Sequence, residues 1–236
     1  MLKIDLHIHS LHSGHAYGTI YEIVAEAQRK DMAMIAITDH GPSMTGTAGH
    51  IHFGMGRRLP NRFGSLRVLW GGEANIIGPR GELDILPAHQ ERLAFLLVNF
   101  HQNCGYADLG IEGNTASIIE AFKNPNVDAV AHVLHPQYEY DVRKVIRAAL
   151  EHEVVLELNA SYLALFGDRD FRQYAYLVDA VKSEGKKLLV GTDSHFLHEI
   201  GDDAAIREFE GRLGLGDEWI LNNYPDEIVT LLGLGD

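Results

Sequence analysis

One cysteine, Cys104, stands in 236 residues, so no intramolecular disulfide can form. A reducing, cytoplasmic compartment is expected. Long apolar runs are missing as well. No stretch reaches the roughly 18 apolar residues that cross a bilayer. Lys3, Asp5 and His7 interrupt the apolar core that a secretory leader would need, so neither a membrane span nor export is expected. Basic residues are scarce: 20 Lys and Arg stand against 33 Asp and Glu, a formal charge of −13. That balance argues against non-specific nucleic-acid binding, which needs basic surface. It does not exclude an anionic ligand, because bound cations are often the largest local charges in a site. Repeats, linkers and low-complexity segments are also missing. Residues 1–236 therefore read as a single domain, large enough to bury a full core.

What the chain has in excess is histidine, 14 in all. Seven short apolar runs, at residues 2–6, 34–38, 67–71, 95–100, 129–131, 154–158 and 187–190, read as buried strands. Helical periodicity fills the gaps, at 19–30, 140–151 and 171–183, with Gly185 placed to close the last, and again at 204–213 and 226–232. Strand followed by helix, seven times, predicts a parallel sheet, and at this length a (β/α)7 TIM-like barrel. Two polar, Gly-containing stretches, 41–64 and 102–114, read as long functional loops.

Metal-type side chains follow every strand. They are His7, His9 and His15; Asp39 and His40; Glu73; His101; His132 and His135; Glu157 and Asn159; Asp193 and His195. In parallel α/β folds the C-terminal strand ends converge on one rim, where sites are built. A period of two puts His7 and His9 on one face of the first strand. Imidazole and carboxylate without thiolate suit zinc, manganese or iron. The set is too large for one ion; about three ions fit, each with about three protein ligands and an open position. Such a rim would lower the pKa of bound water toward about 7 and attract phosphate. Asp39 reads either as an orienting partner for an imidazole or as a helix cap, and Asp5 leans to a structural role. Arg57, Arg58 and His52, in the first long loop, are candidate substrate contacts, because guanidinium grips phosphate bidentately. Cys104 has no base at a useful spacing, and neighbouring Ser194 and His195 point to opposite faces, so neither a thiol nor a serine nucleophile is expected.

The segments Asp5-Leu6-His7-Ile8-His9-Ser10, Ile37-Thr38-Asp39-His40-Gly41-Pro42, Gly72-Glu73-Ala74-Asn75, Phe100-His101 and Gly191-Thr192-Asp193-Ser194-His195 resemble the motifs of the PHP (polymerase and histidinol phosphatase) family. The nearest likeness is to its YcdX-type phosphatases, over residues 1 to about 200; His15-Ala16-Tyr17 and Gly113-Asn114-Thr115 also fit. The resemblance implies a distorted barrel with three divalent ions, usually zinc, at the strand rim. By matched motif, His7, His9, Glu73 and Asp193 would hold the first ion. Glu73 would bridge to a second, held by His101 and His132, and His15, His40 and His195 would hold the third. The family's His-Pro pair falls here on His135-Pro136, while spacing from Tyr138–Val142 favours His132 as the ligand. The implied activity is that of a metal-dependent phosphoesterase, first a phosphomonoesterase that attacks a small phosphorylated substrate with a metal-bound hydroxide, assisted by Asp193, His195 and His101. A phosphodiesterase, a nuclease, an amidohydrolase or a non-enzymatic module are the alternatives.

Overall fold

The apolar runs pair in chain order. The computed structural model describes residues 1–235 and, among them, every side chain except that of Arg57. Parallel strands β1 (Ile4–Ile8), β2 (Met34–Ile37), β4 (Leu66–Asn75), β5 (Phe95–Asn99), β6 (Ala129–Val130), β7 (Val155–Asn159) and β8 (Leu189–Gly191) form one curved sheet. The two-residue β3 (Arg62–Phe63) adds antiparallel to β4, an eighth strand the sequence did not announce. Helices alternate with the strands: α1 (Ile20–Arg29), α2 (His50–Gly54), α3 (Pro87–Gln90), α4 (Gly110–Ala121), α5 (Val142–Glu151), α6 (Ala160–Phe166), α7 (Phe171–Ser183), α8 (Ala204–Leu213) and α9 (Pro225–Leu231). The sheet nearly closes into a barrel. At the rim, His9 N–H donates to Ser194 O at 3.0 Å. At the other end, the Asn222 amide joins Ile4 O to Val190 N and O, each at 2.8 Å. Asp5 makes a third tie, accepting from Thr192 Oγ1 and Gly201 N–H, which is the structural role its sequence context favoured.

Two cores follow from strand alternation. Ile4, Leu6, Met34, Ala36, Leu69, Phe95, Leu97 and Leu189 pack inside the barrel. Ile8, Ile35 and Ile37 face outward against α1 residues Ile23 and Val24. By that parity Leu6 points in and His7 would point out. A bulge reverses it: Asp5 pairs with Ile35 and Ile8 with Ile37, so Leu6 and His7 together face the single residue Ala36. Bulges of this kind re-aim side chains, and here His7 and His9 both turn inward. A second device acts on β6. Val130 faces out and Ala131 in, so His132 would face out again; its φ of 31° turns it back.

Two expectations need correction. The run at 67–71 extends through Gly71-Gly72 to Asn75, because those glycines are demanded by packing rather than by a turn. A Cβ on Gly71 would lie 2.5 Å from Phe95 O, and one on Gly72 would lie 2.8 Å from Ile85 Cδ1. The loops are shorter than read. Residues 110–114 belong to α4, and 41–64 contains α2, a 3₁₀ turn at Gly56–Arg58 and β3. No helix among the described residues is long and apolar enough to cross a membrane.

Candidate metal centre

The inward bulge brings His7 and His9 together with their Nε2 atoms 3.1 Å apart. The outer edge of each ring is already committed. His7 Nδ1 donates to Glu157 Oε1 at 2.6 Å. His9 Nδ1 lies 3.0 Å from Ser13 Oγ, whose own proton goes to Asp39 Oδ1 at 2.7 Å, so His9 is the donor. These partners fix the tautomers and leave both Nε2 lone pairs facing one another. The same logic repeats at the open edge. His195 Nδ1 donates to Asp193 O at 2.8 Å, and its bare Nε2 meets His15 Nε2 at 2.9 Å. His101 Nδ1 donates to Asn75 Oδ1 at 2.7 Å, turning Nε2 toward Glu73 Oε1 at 3.5 Å.

Glu73, fully buried, is the hub. Its Oε2 lies 2.7 Å from His40 Nδ1 and 3.6 Å from the Nε2 atoms of His7 and His9. The contact with His40 lacks hydrogen-bond geometry, and both atoms are buried without a partner. Asp193 Oδ1 lies 3.0 Å from His9 Nε2 and 3.6 Å from His7 Nε2. Three donor sets emerge, each within 4.8 Å: His7, His9 and Asp193; His40, Glu73 and His101; His9, His40 and His195. His40 thus sits between two of them. His132 differs from the rest. Its Nδ1 faces the Asn99 amide at 3.2 Å, so its Nε2 carries the proton to Glu73 Oε1 at 2.9 Å. Asp193 and His132 both hold positive φ, 54° and 31°. Such backbone is costly for side chains larger than glycine and gathers at functional sites.

Burial works against every charge here, and the neighbours decide the outcome. For His7 the carboxylates of Glu157, Asp193 and Glu73 outweigh burial and lift the pKa well above the usual range. Burial lowers His9 and His101 each to about 3, keeping them neutral, the form that binds metal. Glu73 is held well below the carboxylate range, because His101, His40 and His7 outweigh its burial. Asp193 is held down in the same way by His7 and His9.

The remaining candidates fall elsewhere. Asp39 caps no helix; it accepts from Ser10 N–H, Ser10 Oγ, Ser13 Oγ and His52 Nε2, and so supports His9 from behind. His52 faces Asp39 at 3.0 Å, not the donor cluster. Arg58 is exposed, and the side chain of Arg57 lies outside the described residues. His135 turns away, donating to or accepting from Tyr174 Oη at 2.8 Å and stacking on Tyr162. Cys104 is buried, which pushes its thiol up to about 11 and leaves no thiolate. Glu157 stood at the rim in the sequence without a role; it orients His7 and accepts from His132 N–H at 2.6 Å. It can approach His7 because Gly191 beside it has no Cβ to collide with its carboxylate. Ser13 and Asn99 carried no signal in the sequence, and Asn75 stood only as the last residue of the Gly72-Glu73-Ala74-Asn75 motif without a role.

The model of the PHP domain matches residues 5–194. A probable phosphatase of Acetivibrio thermocellus is 40% identical over 226 residues, covering 95% of this chain and 92% of that one. A probable phosphatase of Syntrophotalea carbinolica is 33% identical over 235 residues, 98% and 96% of the two chains. Among solved structures, the histidinol phosphate phosphatase of Lactococcus lactis, complexed with zinc, L-histidinol and phosphate, superposes with a TM-score of 0.61 at 19% identity, over 90% of this chain and 94% of that one. At that identity the likeness is one of fold.

Proposed function

The chain belongs to the PHP domain family, and from that premise we propose that it is a metal-dependent phosphomonoesterase acting on a small phosphorylated substrate, with three divalent ions, zinc first among them. The observation that carries this reading is the facing nitrogens: His7 against His9 at 3.1 Å and His15 against His195 at 2.9 Å, with the outer edges of His7, His9 and His195 already committed. Nitrogens so placed need a proton or a cation between them, and the carboxylates of Glu157, Asp193 and Glu73 that favour a proton on His7 would equally favour a metal ion there. The names of the curated relatives fit this, as do the zinc and phosphate in the Lactococcus structure.

His7, His9, Glu73 and Asp193 would hold one ion; Glu73, His101 and His132 a second; His15, His40 and His195 a third, with His40 also within reach of Glu73 and His101. To join, His132 gives up the proton it now shares with Glu73, so affinity should fall as pH falls. When bound, the ions supply Lewis acidity toward phosphate oxygens and a nucleophilic water at neutral pH. Glu157, Ser13 with Asp39, and Asn75 keep the imidazoles aimed. Asp193, at 13% side-chain exposure against 0% for Glu73, is the more solvent-accessible of the two carboxylates and would take the proton of attacking water.

The test is hydrolysis of p-nitrophenyl phosphate. A chelator should abolish it, zinc or manganese should restore it, and His101→Ala should lower turnover at least about 100-fold with circular dichroism unchanged. Cleavage of bis-(p-nitrophenyl) phosphate alone would move the assignment to phosphodiesters. A protein that binds no metal and turns nothing over would sink it.

A further inference from the structure

A neutral imidazole offers a metal only the nitrogen that carries no proton, and in His101 the other nitrogen faces an amide. An amide does not choose the tautomer by itself, since its oxygen accepts and its NH2 donates. Two asparagines at the rim show both choices. Asn99 spends its oxygen on Phe100 N–H at 2.8 Å, so its NH2 faces His132 Nδ1, and the His132 proton sits on Nε2. Asn75 is turned the other way. Its oxygen accepts from His101 Nδ1 at 2.7 Å, which leaves Nε2 bare toward Glu73. What turns it is Asp84, whose Oδ2 accepts from Asn75 Nδ2 at 2.5 Å.

Asp84 reaches Asn75 by a tight return of the chain. After β4 the backbone turns at 77–82, where Ile77 N–H donates to Glu82 O at 2.8 Å, and Ile76 then pairs antiparallel with Leu83. The buried carboxylate of Asp84 accepts from Asn75 N–H and Ser43 N–H as well, each at 2.9 Å. Burial raises its pKa, yet all three partners are donors, so a proton on either oxygen would find nothing to bond among them. A Cβ on Gly41 would collide with this carboxylate, so the bare backbone directly after His40 is what lets it come in. The other deep imidazoles are backed in the same manner. Glu157 bonds His7 directly, and Asp39 acts on His9 through Ser13.

We propose that Asp84 is a positioning residue of the metal centre: by holding the Asn75 amide it fixes the tautomer of His101 and so keeps Nε2 open to a divalent cation. The inference rests on His101 being a metal ligand, as in the function proposed above. Without Asp84 the Asn75 NH2 loses its acceptor, and it gains one by turning toward His101 Nδ1. The His101 proton then belongs on Nε2, where Glu73 Oε1 at 3.5 Å can take it as it takes that of His132. A cation must displace that proton before Nε2 can bind it. A carboxylate at position 75 would have no such freedom, because it can only accept.

The tautomer is read without metal or turnover, by heteronuclear NMR of the histidine rings in the metal-free chain, the His101 signals being assigned by their loss in His101→Gln. The wild type should carry the proton on Nδ1 and Asp84→Leu on Nε2. In competition with a chelator, Asp84→Leu should hold one zinc ion about 10- to 100-fold more weakly, and turnover of p-nitrophenyl phosphate should fall by a similar factor. Exchanging the pair, Asp84→Asn with Asn75→Asp, should return both tautomer and zinc affinity to the wild-type state. A merely structural carboxylate would shift the melting temperature and leave the tautomer alone. An Nδ1 proton retained in Asp84→Leu overturns the proposal, as does an inverted tautomer with unchanged zinc affinity, or an exchanged pair that restores neither. Should Asp84→Leu fail to fold, the exchanged pair decides on the same two readings. A wild type that binds zinc but hydrolyses no phosphate ester would overturn the functional reading alone, since tautomer and zinc affinity are read apart from turnover.

Discussion

The two ends of the barrel bury ionisable groups under opposite rules. At the rim, Glu73 and Asp193 are closed in by imidazoles and held far below the carboxylate range. At the floor, Asp128 precedes β6 with no cationic neighbour, and burial alone pushes its carboxyl up to about 7. The rim keeps imidazole nitrogens facing one another, leaves His40 Nδ1, Glu73 Oε2 and Ser194 Oγ without hydrogen-bond partners, and holds His132 and Asp193 at positive φ. The floor satisfies its polar groups: Asp128 accepts from Leu96 N–H at 2.8 Å, and Asn222 spends its whole amide on β1 and β8. Between them lies the apolar layer of Ile4, Met34, Phe95 and Leu97. One shell of strands thus carries a layer suited to stability and a layer suited to a ligand.

The largest effect should come from the hub of the rim. Glu73→Gln removes the one carboxylate that faces His7, His9, His40, His101 and His132. Turnover should fall about 1,000-fold or more, and metal content measured by elemental analysis should drop by more than one ion per chain. Retained metal with retained turnover would erase the distinction between the two ends.

A smaller step separates the deep part of the rim from its edge. His7, His9 and Glu73 are no more than 2% exposed, whereas the His195 side chain is 21% exposed and His15 is open to solvent. His195→Ala should cost about one ion per chain and about 100-fold in turnover, leaving the deep ions in place. Loss of every ion together would show the cluster to be a single cooperative unit.

Much of this was legible in the sequence, for a local reason. Ligands at strand ends announce themselves by short motifs, and HxH, TDH and DSH need only neighbouring residues. Alternation put His7 and His9 on one face, but which face depended on the bulge against Ala36, set by a partner strand. The orienting contacts were illegible because they are long-range: Glu157 reaches His7 across 150 positions. The start of α4 was read as loop because Gly110, Gly113 and Asn114 are poor helix formers. It is held from outside, by the Asn114 amide bonding Asp108 and Glu139 O and its oxygen accepting from Tyr106 Oη and Leu109 N–H. Likewise the Gly-Gly that looked like the end of a strand was the condition for Phe95 O to approach it.

The smallest effect belongs to the floor, and its sign is fixed by linkage. Asp128 titrates near 7 in the folded chain and near 3.9 when unfolded. Below about pH 4 both states hold the proton and the group is neutral in effect. Between about 4 and 7 only the folded state holds it, so stability falls as pH rises, and above 7 the loss is complete. Asp128→Asn should therefore match the wild type in urea unfolding at pH 4 and exceed it at pH 8, by about 2 kcal/mol once partial exposure is discounted. The asparagine oxygen can still accept from Leu96 N–H, so the fold has no reason to change. Turnover should not change either, because the apolar layer separates this residue from the rim. A gain in stability accompanied by altered turnover or metal content would mean that the two ends are coupled through the strands, and the division drawn between them would fail.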